Sequence, residues 1–78
     1  MNLWIVIYLF GKVAETIGPL PYGEEICQFR IETEMHNVGA VFKEHGGVIH
    51  DPGGGPDVTP EDIRFKCVWS DKRPEISK

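Results

Sequence analysis

Leu3-Trp4-Ile5-Val6-Ile7-Tyr8-Leu9-Phe10-Gly11-Lys12-Val13-Ala14-Glu15-Thr16-Ile17 is the stretch whose reading decides the fold. Its first eight residues are β-branched, aromatic or leucine, a run too short for a stable helix, and they read as a strand buried on both faces. Gly11-Lys12 places glycine at the first central position of a two-residue turn, the signature of a type II′ hairpin. Val13 to Ile17 is then the return strand. In that register Phe10 faces Val13, Tyr8 faces Glu15 and Val6 faces Ile17.

Downstream, Gly18-Pro19-Leu20-Pro21 stops the strand, because proline lacks the ladder donor and fixes φ. Glu24 and Glu25 then stand where the positive end of a helix favours carboxylates. Cys27, Ile31, Met35, Val38 and Phe42 recur at helical spacing, with Ile26 and Val41 beside the stripe. The spacing predicts a helix from Gly23 to His45, ended by Gly46-Gly47. Residues 46–58 hold five of the chain's nine glycines plus Pro52 and Pro56, and read as a loop. Thr59-Pro60-Glu61-Asp62 supplies an N-cap residue, proline at the first helical position and acids after it, hence one helical turn. Ile63 to Ser70 alternates with period two and reads as a third strand. A charged tail, 71–78, follows. The whole, residues 1–78, is a single α+β domain: a three-stranded antiparallel sheet, first strand central, with one long helix on one face.

Composition agrees with a folded domain. The chain has 78 residues, 41% of them hydrophobic and 26% charged, enough for one core. The formal net charge of −4, from 12 acidic and 8 basic residues, disfavours direct nucleic-acid binding, for which a basic patch is the usual footprint. The apolar run is too short to cross a bilayer and lacks the flanks of a signal peptide, so the expected compartment is the cytoplasm.

The predicted core takes Leu3, Ile5, Ile7 and Leu9 with Ala14, Thr16, Ile63, Phe65, Cys67, Trp69 and the helix stripe. One helix cannot cover both faces of a sheet. Trp4, Val6, Tyr8 and Phe10, extended by Val13, Ile17 and Val68, are left on the other side, a patch larger than monomers usually expose. Three readings stay open: a cover made by the glycine loop and the tail, a homodimer interface, or a surface for another protein.

No catalytic constellation emerges, and the reading is a non-enzymatic binding protein without a cofactor. Cys27 and Cys67 form a candidate disulfide pair; in a reducing cytoplasm two buried thiols are the favoured reading, and a bridge between chains through an edge-strand Cys67 is a third. His45, His50 and Asp51, with His36 upstream, match no zinc spacing and read as loop residues. Gly53-Gly54-Gly55-Pro56-Asp57 lacks the Gly-Lys-Ser/Thr ending of a phosphate loop. Glu24, Glu25 and Glu32, with Asp51 and Asp57 in the loop, are the candidate docking surface for a basic partner; the bland alternative for the helix acids is a solvated face.

Gly18-Pro19-Leu20-Pro21-Tyr22 with Cys27, then Asp62-Ile63-Arg64-Phe65-Lys66-Cys67 followed by Arg73-Pro74, is similar to short proteins encoded in phages and prophages of α-proteobacteria. By size, charge and apparent origin, rather than by a residue motif, the chain also resembles anti-CRISPR proteins, which occupy a surface of an effector complex and in some cases mimic DNA charge. That resemblance implies an inhibitor whose partner is a subunit of a type I effector, Cascade, acting in the host cytoplasm. Two rivals stand beside it: a homodimeric structural or adaptor protein assembled through Trp4, Val6, Tyr8, Phe10 and Val68, and a small metal-binding protein or enzyme using the loop histidines.

Overall fold

The computed structural model describes residues 1–76; the last two residues of the charged tail lie outside the described residues. Strands β1 (Asn2–Leu9), β2 (Lys12–Ile17) and β3 (Ile63–Ser70) form one antiparallel sheet in the order β2-β1-β3, and helix α1 (Glu24–Glu44) packs on one side of it. A 3-10 turn at Pro60–Asp62 leads into β3. The expected architecture is therefore present, with β1 central.

The hairpin departs from its expected register. Leu9 pairs with Lys12, so Phe10 and Gly11, not Gly11 and Lys12, form the turn. Both have positive φ, 53° and 76°, the backbone of a type I′ turn, whose twist matches that of the flanking strands. Phe10 is held there by its N–H, which donates to the Asp62 carbonyl at 2.9 Å. Tyr8 pairs with Val13 but Ile7 with Glu15, so Ala14 is the extra residue of a β-bulge. Past the bulge every side chain changes face. Thr16 lies beside Val6 and Ile17 beside Ile5, the reverse of the expected placement, and Ala14 is exposed rather than in the core.

Helix α1 runs from an N-cap at Gly23 to a C-cap at His45, with Glu24 and Glu25 in its first turn and Lys43 in its last. Its end is a Schellman motif: the Gly47 N–H donates to the Phe42 carbonyl at 2.7 Å and the Gly46 N–H to the Lys43 carbonyl at 3.2 Å. Gly46 and Gly47 both have positive φ, which glycine adopts without a Cβ penalty. The helix packs chiefly on β3. Leu3, Ile5 and Cys27 are the centre of the core, with Ile7, Leu20, Tyr22, Ile31, Phe65 and Cys67 around them.

A disulfide joins Cys27 to Cys67 and ties the first turn of α1 to β3, with 6.3 Å between the Cα atoms. Free thiols, the favoured expectation, give way to the intrachain bridge, and there is no unpaired cysteine to link two chains. Its loop spans 40 residues, worth about 4 kcal/mol in the chain-entropy account. For a domain this small that is a large share of the net stability.

The second sheet face is not bare. Trp4 and Val6 are 5% and 1% exposed. The tail after Ser70 turns back across them, and Arg73 sets its guanidinium 5.1 Å from the Trp4 ring centre. The same guanidinium donates to the Thr16 hydroxyl at 2.9 Å, the Thr16 carbonyl at 3.1 Å and the Gly18 carbonyl at 3.3 Å. The bulge puts Thr16 on this face, and Arg73 explains why a buried threonine is tolerated there: its hydroxyl has a charged donor. Beside it the linker passes so close that a Cβ on Gly18 would stand 2.8 Å from Trp4 Cε3. Of the three readings for this face, cover by the tail describes Trp4 and Val6; the glycine loop lies elsewhere, closed on itself by the Ile49–Val58 bridge.

Candidate functional site

Helical geometry decides which carboxylates act together. At 100° per residue, Glu25 and Glu32 fall on one flank of α1 with Gln28 between them, while Glu24 lies nearer the sheet. The helix is about 30 Å long at 1.5 Å per residue. Asp51 and Asp57 belong to the loop that leaves its far end, so the five acids expected to form one surface are divided between the first half of α1 and the loop beyond its C-terminus. The loop acids are also occupied. Asp51 accepts from the Gly53 N–H at 2.8 Å, and Asp57 meets His50 Nδ1 at 2.8 Å.

Next to Glu25 and Glu32 stand two apolar side chains that the core stripe does not use. Phe29 is 70% exposed and Ile26 56%. One helical turn apart, they meet on the surface of α1 turned away from the sheet. With Glu25, Gln28 and Glu32 they line an open depression of about 440 Å³. Sequence reasoning placed Ile26 beside the stripe and passed over Phe29. The signal was available: Phe29 lies on the far side of the helix from the stripe Cys27, Ile31, Val38, Phe42, where a core residue has nothing to pack on.

A second groove runs on the other flank of α1, toward the hairpin. Ile5, Ile7, Ile17, Tyr22 and Phe65 form its apolar part, and an Arg30–Glu34 ion pair at 3.6 Å lies at its rim. At about 140 Å³ it is smaller than the usual range for small-molecule pockets.

The histidines do not converge. His45 Nδ1 turns back to the Val41 carbonyl at 2.9 Å, His50 pairs with Asp57, and His36 projects from the exposed surface of α1. Among the described residues no three His, Cys, Asp or Glu side chains are grouped so as to hold a metal ion. Of the proposed sheet-face contacts, Trp4 and Val6 are covered; Tyr8 and Val68 are half-buried, and Phe10 is exposed at the hairpin tip. No helix among the described residues is long and apolar enough to cross a membrane.

No protein-family model, curated protein or solved structure matches the chain.

Proposed function

We propose that this chain is a non-catalytic protein-binding module that docks through the outward surface of α1, with Phe29 and Ile26 as anchors and Glu25 and Glu32 as the charged rim. The exposure of Phe29 carries the reading. An aromatic side chain on the solvent side of a helix gains nothing from folding, whereas aromatic residues surrounded by a polar rim are the usual anchors of an interface. The acids select a partner whose contact surface is basic around an apolar recess, and they speed encounter at low salt.

The resemblance to phage-encoded inhibitors extends the proposal to a partner class: a host protein that itself binds nucleic acid, with a Cascade subunit of a type I effector as the first candidate. Occupation of such a basic surface blocks DNA without turnover. A cytoplasmic site of action belongs to this reading, and the complete burial of Cys27 suits it, because thiol exchange needs access to a sulfur. Self-association through the second sheet face needs the tail lifted from Trp4 first.

The test is binding of purified chain to a reconstituted type I effector, followed by DNA binding to the same complex. Salt-sensitive capture that is lost in Phe29→Ala and in Glu25→Lys/Glu32→Lys supports the proposal. Capture that survives both variants removes this surface from consideration, and no capture removes the Cascade assignment.

A further inference from the structure

The two edges of the sheet are built differently. On β2 the outer edge is short and broken by the bulge at Ala14, and the Thr16 carbonyl is taken by Arg73. On β3 the eight residues Ile63–Ser70 pair with β1 without a register shift. The Phe10 N–H bond to the Asp62 carbonyl sets the phase of that ladder. In an antiparallel pair the bonded positions alternate, so Arg64, Lys66, Val68 and Ser70 bond toward β1. Phe65, Cys67 and Trp69 turn their N–H and C=O groups outward. No backbone or side-chain partner meets those six groups among the described residues.

The side chains of this edge are charged on one face only. Arg64 and Lys66 are exposed on the face away from α1, and neither has a carboxylate partner among the described residues. On the helix side Trp69 is 47% exposed and Met35 of α1 41%.

We infer that the outer edge of β3 receives an extended segment of a partner protein as a fourth strand, one that alternates acidic residues, set against Arg64 and Lys66, with apolar residues set toward Trp69 and α1. Backbone bonds to Phe65, Cys67 and Trp69 hold such a strand, and opposite charges across a strand pair set its face and register. Charge complementarity selects this occupant over a second copy of the chain. A β3–β3 pairing that places Lys66 at the two-fold axis opposes like charges. Registers without that conflict still bring two helices over one seam, where neighbouring strands are about 4.8 Å apart and packed helices need about 8–10 Å. Lysine and arginine on an edge strand also discourage self-pairing. The surface is separate from the Phe29 patch, and its test does not depend on that reading.

The experiment follows backbone amide shifts and hydrogen exchange of the disulfide-bonded chain with two eight-residue peptides, one alternating glutamate with valine and one alternating lysine with valine. The expected result is that the glutamate peptide shifts the Phe65, Cys67 and Trp69 amides and slows their exchange at least tenfold, while the lysine peptide does not. Arg64→Glu/Lys66→Glu reverses the preference. Equal response to both peptides, response confined to β2, or no response at millimolar peptide overturns the inference. Protection of the same amides that rises with protein concentration alone overturns it in favour of self-pairing.

Discussion

Arg73 lies 5.1 Å from the ring centre of Trp4, and this relationship covers the Trp4 end of the second sheet face. A residue three positions beyond the last strand thereby becomes part of the fold. Where no second helix lies, a single guanidinium sits over the Trp4 ring and donates to the edge-strand backbone at Thr16.

Arg73→Ala removes that cover. The expected cost is about 1–2 kcal/mol, from the cation–π contact and the hydrogen bonds to Thr16, with a red shift of tryptophan emission as Trp4 meets water. Lys72→Ala, one residue away and exposed, should change neither. Denaturant titration followed by fluorescence reads both quantities.

Reduction tests the bridge. Cys27→Ala/Cys67→Ala should lower unfolding free energy by about 4 kcal/mol if the loop-closure account holds. Reductant should lower the midpoint of the parent chain and leave the double variant unmoved. Equal midpoints for parent and variant under oxidising conditions would show that the bridge contributes nothing.

Leu3 and Phe29 should respond in opposite ways to truncation. Leu3→Ala empties a site that is 2% exposed and should cost about 2–5 kcal/mol. Phe29→Ala touches only the surface, where changes stay within about 0.5 kcal/mol, yet it should abolish partner binding. A Phe29→Ala chain that unfolds readily would assign that side chain to the fold instead.

Gly18→Ala should be the most damaging glycine substitution. Its Cβ would meet Trp4 Cε3 at 2.8 Å and the Leu3 carbonyl at 3.1 Å, both fixed by the sheet. Gly39→Ala, inside α1 where nothing lies within 4 Å of the new atom, should be neutral or stabilising, since alanine favours a helix interior by up to about 1 kcal/mol. Thermal melts of the two variants give the comparison directly.

Local signals carried most of the secondary structure. The apolar run 3–10, the stripe from Cys27 to Phe42, the glycines at 46–47 and Thr59-Pro60 each act within a few residues, and each forms the expected element. The candidate site was legible in part. Glu25 and Glu32 do stand on an exposed flank, but Asp51 and Asp57 turn to bonds inside their own loop, and Phe29 lies outside the buried stripe, which is all that apolar periodicity reports.

The sequence by itself determined the elements, their order and the central place of β1, because hydrophobic periodicity and helix-end signals are properties of neighbouring residues. Tertiary structure alone decided the face on which Thr16 and Ile17 lie, the Cys27–Cys67 bridge and the cover over Trp4. Each depends on residues far apart in the chain: the turn is anchored by Asp62, the two thiols are 40 positions apart, and Arg73 reaches Thr16 across 57. Such contacts form only once the chain has folded, when competing partners are excluded by packing rather than by any local preference.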